Sequence, residues 1–568
     1  MNRYSSIALV LGFGSLVWAC SDDEPAGTDG TGAGPAATTT TGAGGAPTTA
    51  TTGSGGGGGD TWDPRFDAFV EALQQDLAEN DAYGVSVAIM ENGQVTFAHA
   101  FGSKDKDGLE PLTPTTLMQI GSTTKQMTAT SLLRKVEAGD LALDDTLEEK
   151  LPMLEFALDS TWDDQLTPHL LLSHQGGIID YIDWGGPAND ANLANFMYGP
   201  FADQLWLMSP PGAFWNYSNP NFVFAGLLNE ELDTRAWPDI IREDVYVPLG
   251  MTRTFARKAE VEADGDYSGS FGFTVDALEN GGPASDVPMS EIGDSASVRP
   301  AGLVWTTPTQ MMDWAKFLIH GNTTVLSDEL RSEITTAHVS TLYLNGAMQY
   351  GYGVDVWEGF LTSDGDEFYP TPVWEHGGNT ISMTNAFWVL PEKDFAICIT
   401  TNGYATNFDH SVDVAIKTLV DLPAPIDPPM YTVDPTQFSR HVGTYYDLHN
   451  VGEVTIEDNG GNLTISMPDL EAAGVNYDPE LTAISSDIFV LHVDGQNLDL
   501  TFVPTTPGGS SVYIRNRAFV ISRPEPAFAP QAAPSAHPDR ASILRMLARA
   551  RMEDAVPRRV LNAAKRAH

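Results

Sequence analysis

The sequence predicts an α+β fold, in which an antiparallel sheet is flanked by helices and joined to a mostly helical subdomain, and a small all-β domain follows. The first observation is that β-hairpin patterns occur on both sides of a helix-rich stretch at about 115–345. The second is a proline-rich break at 422–430, after which short β-type runs alternate with turns. Hairpins on both sides of one stretch indicate that its ends meet in a single antiparallel sheet, with the helices outside it.

The N-terminal part of the chain predicts export and a tether. Residues 1–20 combine a positively charged start, an apolar run too short to span a bilayer, and the pair Ala19–Cys20. This pattern is similar to a bacterial lipoprotein signal, in which Cys20 would carry the lipid; plain secretion is the alternative, because Trp18 is bulky for its position. Residues 21–60 are mostly Gly, Thr, Ala, Ser and Pro, which predicts a disordered linker.

The next elements are a helix and the two hairpins. From Phe66 to Leu77 apolar residues recur at helical spacing, which predicts an amphipathic helix. Two β-rich runs then surround Asn92–Gly93, a dipeptide typical of a two-residue hairpin turn. The second hairpin is predicted around the turn Pro391–Asp394, and Cys398 in its last strand is predicted to be buried and inert.

Two helices in the middle of the chain have recognisable ends. One is predicted to run over residues 122–138, with Gly139 as its stop. The other is predicted to open with a capping box formed by Thr307 and Gln310 and to end before Gly321. Both would belong to the helical part of the fold.

The C-terminal part predicts a second domain and a tail. Residues 431–523 contain six short strands separated by turns, which predicts a small β-meander or barrel. Residues 524–568 are first rich in Pro and Ala and then, from Arg540, basic. The tail has two interpretations, a short basic helix on a membrane surface or a frayed, solvated terminus.

Composition excludes some partners and cofactors. The chain carries 30 basic and 76 acidic side chains, a net charge of −46, so its surface repels nucleic-acid phosphates and no nucleic-acid partner is predicted. No His or Cys cluster has the spacing of a zinc site, so neither a metal nor another cofactor is predicted. His169 and His174 are predicted to be packed side chains. The oligomeric state is not determined by these features.

The first candidate for chemistry is the motif Ser122-x-x-Lys125. Positions i and i+3 share one face of a helix, which would place the lysine ammonium beside the serine hydroxyl. A serine becomes nucleophilic when a base takes its proton, and a desolvated lysine can be that base. Ser103 and Lys106 have the same spacing but lie in a polar turn, so we reject them as a pair.

The second candidate is Tyr217-x-Asn219, on a loop that leads into an apolar helix. A phenol near a lysine can pass a proton to a leaving group, and an asparagine can bind a substrate amide. Tyr343 and Asn345 repeat the spacing, but their surroundings are typical of a hairpin turn.

The third candidate is His376-Gly377-Gly378, just before the last hairpin. Two glycines let an edge strand come close to a bound ligand, and a histidine can donate a hydrogen bond to a carbonyl or carboxylate. Its simplest alternative is a glycine-rich turn with a surface histidine.

Taken in this order, the three motifs resemble the serine β-lactamase/penicillin-binding protein family. The similarity is closest to its class C-like branch, which includes D-alanyl-D-alanine carboxypeptidases, D-aminopeptidases and esterases. Segments 167–181 and 299–318 are also similar to stretches of those proteins. The resemblance implies a β-lactamase/DD-peptidase-like catalytic domain at 61–423 and a lipocalin-like fold for the small β domain.

The resemblance also implies roles for the motif residues. Ser122 would be acylated, while Lys125 and Tyr217 would share the general base and acid roles. The backbone N–H groups of Ser122 and Asn379 would form the oxyanion hole. These assignments predict a serine hydrolase that forms an acyl-enzyme.

The remaining motif residues would bind substrate. Asn219 would contact the substrate amide, and His376, Gly377 and Gly378 would line the binding strand. Many β-lactamases have Lys-Thr-Gly at this strand, whereas histidine is charged only below about pH 6.5. We therefore expect weaker binding of a substrate carboxylate. If protonated His376 binds this carboxylate, the Michaelis constant should rise above about pH 6.5.

Together these features predict a hydrolase of amide or ester bonds at the bacterial cell envelope. Its substrate would be a small molecule or peptide, such as a D-amino-acid peptide or a short ester, and less readily a β-lactam. It would be secreted across the inner membrane and lipid-anchored in the periplasm or outer membrane. A catalytically weak penicillin-binding or sensor protein is the alternative.

Overall fold

The computed structural model describes residues 62–154, 162–202, 206–280, 282–429, 432–447, 451–523 and 557–566. The predicted signal sequence, the predicted lipidation site Cys20 and the predicted linker lie outside these residues. Among the residues described, no helix has the length and apolar character needed to span a bilayer.

An eight-stranded antiparallel sheet organises the first domain. Its strands, in chain order, are β1 Gly84–Glu91, β2 Gln94–Gly102, β3 Val339–Ser340, β4 Met348–Tyr350, β5 Asp355–Trp357, β6 Val373–Asn379, β7 Thr384–Leu390 and β8 Phe395–Thr401. Their order across the sheet is β2-β1-β8-β7-β6-β5-β4-β3. Strand β1 pairs antiparallel with β8, Val85 opposite Thr401, which confirms that the two hairpins meet in one sheet.

Local turn chemistry forms the two predicted hairpins. Asn92 and Gly93 join β1 to β2 with φ angles of 52° and 68°, the positive values that a tight hairpin turn requires. A turn over Pro391–Lys393 joins β7 to β8 and ends at Asp394, whose φ is 45°. Cys398 in β8 is fully buried, as predicted, and burial raises the pKa of its thiol to about 12.

Helices cover both faces of this sheet. The longer ones are α1 Asp67–Glu79, α2 Thr124–Ala138, α3 Asn219–Glu231, α4 Pro308–His320, α5 Asp409–Leu419 and, at the C-terminal end, α6 Arg558–Arg566. Alternate residues of β1 enter two cores: Val85, Val87 and Ile89 pack with α1 and α5, whereas Ala88 and Met90 pack with α2 and α4. The sheet is therefore buried on both sides.

Shorter elements complete the helical subdomain and its connections. The short helices are Leu147–Lys150, Pro168–Leu172, Asn192–Phe196, Trp237–Ile241, Lys258–Asp264, Val275–Asn280, Arg299–Gly302 and Asp328–Ile334. Three two-stranded ribbons pair Met118–Gln119 with Trp305–Thr306, Ser270–Gly272 with Ser285–Val287, and Phe360–Leu361 with Phe368–Tyr369.

Two helix ends differ in detail from the sequence prediction. The predicted helix over 122–138 begins as a 3-10 turn, Gly121–Thr123, and becomes α-helical at Thr124, with Gly139 as its left-handed end. The predicted capping box is half formed. The side chain of Thr307 accepts from the Gln310 N–H, but Gln310 turns to the backbone N–H of Arg253 instead of returning to Thr307.

The second domain is all-β, as predicted. Its strands are β9 Gly443–Asp447, β10 Gly452–Asp458, β11 Leu463–Ser466, β12 Thr482–Ala483, β13 Ile488–Val493, β14 Gln496–Pro504, β15 Ser511–Asn516 and β16 Phe519–Ser522. They form one sheet in the order β11-β10-β9-β16-β15-β14-β13-β12. A bridge from Thr464 in β11 to Glu480, just before β12, nearly closes this sheet into a barrel.

The C-terminal helix α6 differs from both interpretations of the tail. Val560, Leu561, Ala563 and Ala564 are buried in the core that α1 and α5 share with the main sheet. The short helix of the first interpretation is present at Arg558–Arg566, but its location on a membrane surface is wrong, and so is a frayed terminus for residues 557–566. No local sequence pattern indicated that these apolar residues of α6 would pack into that core.

Candidate active site

Ser122 lies where a tight turn meets strand β6. Gly121 has a φ of 52°, and a Cβ atom on it would lie only 2.5 Å from the backbone nitrogen of Asn379. A Cβ atom on Gly378 would lie 1.9 Å from the carbonyl oxygen of Ile120. Glycine is therefore required at both places, because backbone touches backbone there. Gly377 is exposed and has no such close neighbour.

Strand β6 is only partly an edge strand. Its first three residues pair with β5, so that Glu375 lies opposite Asp355. The pairing with β5 stops there, and His376–Asn379 pair on the other side with β7. The end of β6 that contains the predicted binding residues thus has an open edge beside Ser122, as a bound backbone-like substrate would need.

Lys125 is fully buried and surrounded by oxygen atoms. Its Nζ lies 2.9 Å from Oγ of Ser122, 2.8 Å from Oδ1 of Asn219 and 2.7 Å from the carbonyl oxygen of Ala301. Burial lowers the pKa of Lys125 well below its ordinary value, the Asp180 charge opposes this, and the Arg517 charge adds to it. A neutral amine can donate to Asn219 and Ala301 and accept the Ser122 proton with its lone pair.

Tyr217 completes the group around Ser122. Its phenol faces Ser122, and its ring centroid lies 5.0 Å from the Lys125 Nζ. Burial raises the pKa of Tyr217 well above its ordinary value, although the Arg517 charge and the nearby Ser122 hydroxyl work against this. The side chain is therefore a neutral phenol at neutral pH, suited to donating a proton.

Asn219 is a bridge inside the site. Its Oδ1 accepts from Lys125, while its Nδ2 and its backbone N–H both donate to Oδ1 of Asp180, at 3.0 and 2.8 Å. Its principal contacts are therefore with the protein itself, and contact with a substrate amide stays a prediction.

His376 is neutral, contrary to the charge expected below pH 6.5. Its Nδ1–H donates to the carbonyl oxygen of Gly377 at 2.5 Å, and its Nε2 accepts from the Tyr350 hydroxyl at 3.2 Å. Burial and the nearby Lys125 charge lower the pKa of His376 to about 3, although the Gly377 bond opposes them. The histidine thus supplies no cation for a substrate carboxylate.

This charge state leads to a kinetic prediction. Between about pH 5 and pH 8, His376 gains no proton, because its pKa lies near 3. We expect the ratio of the Michaelis constants of a carboxylate substrate and its methyl ester to vary with pH in the same way in the wild type and in His376→Gln. Any variation then comes from another group of the cleft, such as Glu375, whose pKa burial raises to about 7. The ratio cancels titrations common to both substrates. A ratio that rises above pH 6.5 in the wild type, but not in His376→Gln, would show that the histidine is charged.

The open edge of β6 faces a cleft of about 410 Å³. Its walls come from three parts of the chain: the catalytic domain, Arg517 of the β domain, and Pro557–Arg559 at α6. Asp355 and Glu375 line the cleft where β5 stops. Burial raises the pKa of both carboxyls, that of Glu375 to about 7.

The alternatives rejected from the sequence lie elsewhere. Ser103 donates to the carbonyl oxygen of Asp105, and Lys106 pairs with Asp286. The Tyr343 hydroxyl donates to Asp499 of the β domain.

The two histidines considered as a metal pair are packed against aromatic rings. His169 bonds to the Tyr352 hydroxyl at 2.7 Å. His174 packs against Tyr217, with ring centroids 4.2 Å apart. Among the residues described, no group of His, Cys, Asp and Glu side chains could hold a metal ion.

Sequence reasoning missed two charged residues of the site, Asp180 and Arg517. Asp180 lies in the segment 167–181, whose similarity to family members indicated that this segment matters. No motif within the segment identified the aspartate as part of the site. Arg517 follows a strand of the other domain, 337 residues away. No local pattern relates the two.

Comparisons with known proteins agree with this architecture. The profile of the Beta-lactamase family matches residues 66–421. Protein flp of Staphylococcus aureus (strain NCTC 8325 / PS 47) is 23% identical over 335 residues, which are 58% of this chain and 61% of that protein. The chain therefore spans about three fifths of the length of this curated relative.

Two solved structures share the fold. The crystal structure of SurE is 19% identical, with a TM-score of 0.57, and the match covers 81% of this chain and 99% of SurE. The D-amino acid amidase from Ochrobactrum anthropi SV3 is 20% identical, with a TM-score of 0.50, and the match covers 63% of this chain and 99% of the amidase. The family resemblance is thus confirmed: the chain belongs to the beta-lactamase family, whose members are generally serine hydrolases.

Proposed function

We propose that the protein is a serine hydrolase that cleaves amide or ester bonds through an acyl-enzyme on Ser122. The observation that carries this proposal is the contact of three groups at one point. The Ser122 hydroxyl lies 2.9 Å from the amine of Lys125, and the phenol of Tyr217 faces it in the same cleft. A nucleophile, a base and an acid are what acyl transfer to serine requires.

The proposed reaction uses these groups in sequence. Neutral Lys125 takes the Ser122 proton while Oγ attacks the substrate carbonyl, and the backbone N–H groups of Ser122 and Asn379 stabilise the oxyanion. Tyr217 gives its proton to the leaving nitrogen or oxygen and regains one from Lys125, which leaves both neutral. Water then attacks the acyl-enzyme, with the proton transfers reversed, and releases the acid and Ser122.

The charges around the cleft favour amides or esters of amino acids over β-lactams. Neutral His376 gives no cation for a lactam carboxylate. Asp355 and Glu375, at the start of the open edge, would instead be stabilised in their ionised form by a substrate ammonium group. A D-amino-acid amide has such a group, and one structural neighbour is a D-amino acid amidase.

We further propose that the enzyme acts at the cell envelope. The support is the signal-like segment 1–20 with Cys20 at its end, followed by residues 21–60, whose composition suits a tether between a lipid anchor and the catalytic domain.

Labelling with a fluorescent fluorophosphonate tests the nucleophile without knowledge of the substrate. We expect covalent labelling of the wild type and none of Ser122→Ala, whereas Ser103→Ala, which removes the other serine with this spacing, should label normally. Equal labelling of wild type and Ser122→Ala would overturn the assignment.

A turnover screen separates the substrate classes and the sensor alternative. It should contain penicillins, D-alanyl-D-alanine peptides, D-amino-acid amides and short-chain esters. We expect turnover to be fastest with D-amino-acid amides or esters that have a free ammonium group, and slower with their N-acetylated forms. Labelling of Ser122 with no turnover of any substrate would favour the weakly catalytic sensor.

A further inference from the structure

The turn between β15 and β16 of the β domain is held firmly against the catalytic domain. The buried side chain of Arg515 donates to the carbonyl oxygen of Trp215 at 2.6 Å. The side chain of Asn216 donates to the carbonyl oxygen of Asn516 at 3.2 Å. Both bonds reach the loop segment immediately before Tyr217, so the β domain is attached beside the proposed acid.

From this turn an unbroken series of polar contacts leads to the nucleophile. Nε and Nη2 of Arg517 lie 2.9 and 2.8 Å from Oδ2 of Asp180, and the guanidinium lies 4.7 Å from the ring centroid of Tyr217. The other oxygen of Asp180 accepts twice from Asn219. Asn219 in turn accepts from Lys125, whose amine lies beside Ser122.

We infer that Arg517 of the β domain is a positioning residue, which holds Asp180 and thereby Asn219 and Lys125 in the arrangement that activates Ser122. The inference rests on the proposed function of Ser122 and Lys125. It gives the β domain a part in the chemistry, because the catalytic domain alone would lack the cation that neutralises Asp180.

The alternative is that the ion pair merely joins two domains. The two roles differ in their effect on the protonation of Lys125. The titratable or charged groups that face Lys125 come from several segments, and they are His174, Asp180, Tyr217, His376 and Arg517. Asp180 raises the pKa of Lys125 and Arg517 lowers it, so removal of either charge has a predictable sign.

The test is the rate constant of fluorophosphonate labelling of the full chain, measured between about pH 4 and pH 10. Labelling needs neutral Lys125, so the rate falls on the acid side as Lys125 becomes protonated. Wild type and Ser122→Ala are compared first. If the wild type labels no faster than Ser122→Ala, the proposed function fails, whatever the Arg517 variants show.

Arg517→Gln removes a positive charge and leaves Asp180 without its cation. We expect the acid limb of the profile, the pH range in which the labelling rate falls as Lys125 gains a proton, to move to higher pH by about one unit. This is the size of a nearby-charge effect. Asp180→Asn should move the limb in the opposite direction, and the double variant should return it close to the wild-type position. Arg517→Lys keeps a cation and should keep the wild-type limb, even if its rate is lower.

Arg523→Gln is the matched control. Arg523 follows β16 in the same domain, but its bonds go to Arg440, Val442 and Tyr445, none of which belongs to the series of contacts that leads to Ser122. Its profile should coincide with that of the wild type. Equal acid limbs in wild type, Arg517→Gln and Asp180→Asn, with circular dichroism showing folded proteins, would overturn the inference and leave only the domain-joining role.

Discussion

Replacement of Lys125 by methionine is expected to lower the labelling rate of Ser122, and kcat/KM for any substrate found, by roughly 10²–10⁴-fold, the usual contribution of a general base. Lys125 is the basic group whose nitrogen lies 2.9 Å from the Ser122 oxygen. Methionine has a similar length and fills the buried space, but it has no lone pair basic enough to take the serine proton.

Lys135→Met is the control for this substitution. Lys135 lies on the same helix and pairs with Asp233, which keeps Arg235 as a second partner when the lysine is removed. We expect its labelling rate to stay within twofold of the wild type. If Lys125→Met labelled as fast as Lys135→Met, Lys125 would not be the base, and Tyr217 would have to take that role.

Local patterns were sufficient for the first hairpin and for the helix that carries Ser122 and Lys125. The positive φ angles of Asn92 and Gly93 follow from the residue types, and so does the end of α2 at Gly139. The spacing of Ser122 and Lys125 also translated directly into a contact, because one turn of helix fixes the distance between them. Sequence reasoning succeeds where the deciding interaction lies within a few residues.

Charge states could not be predicted in this way. The ordinary pKa of histidine led to the expectation of a titrating His376, but the pKa is set by burial and by Lys125, which folding brings close. The same holds for Arg517, whose partner Asp180 belongs to another domain. Both depend on contacts between distant segments, which no motif of a few residues contains.

The C-terminal helix α6 is the largest departure from the sequence interpretation, and a single arginine anchors it. The side chain of Arg559 is 2% exposed, and it pairs with Asp409 at 2.9 Å and Asp413 at 3.1 Å, both on α5. It also donates to the carbonyl oxygen of Leu361, and its guanidinium lies 4.3 Å from the ring centroid of Trp388. The basic composition of the tail is typical of a solvated terminus. In the folded protein, however, Asp409 and Asp413 pair with Arg559 and so allow this positive charge to be buried.

Arg559→Met is expected to lower the free energy of unfolding by about 3–5 kcal/mol, the cost of removing one partner of a buried ion pair. The loss arises because Asp409 and Asp413 keep their places near the core without their cation, and burial already raises the pKa of Asp413. Urea denaturation of the full chain, followed by tryptophan fluorescence, measures the change, since Trp388 adjoins the altered side chain.

Arg558→Met separates this buried pair from the general loss of a positive charge. Arg558 is the preceding residue of the same helix and is exposed, so its substitution should change the free energy of unfolding by less than about 0.5 kcal/mol. If the two variants were equally stable, α6 would not be docked in solution. The wall of the cleft that Pro557–Arg559 provides would then be missing in the wild type as well, so neither substitution would change the Michaelis constant. A loss of stability specific to Arg559→Met would instead establish the C-terminal helix as part of the catalytic domain.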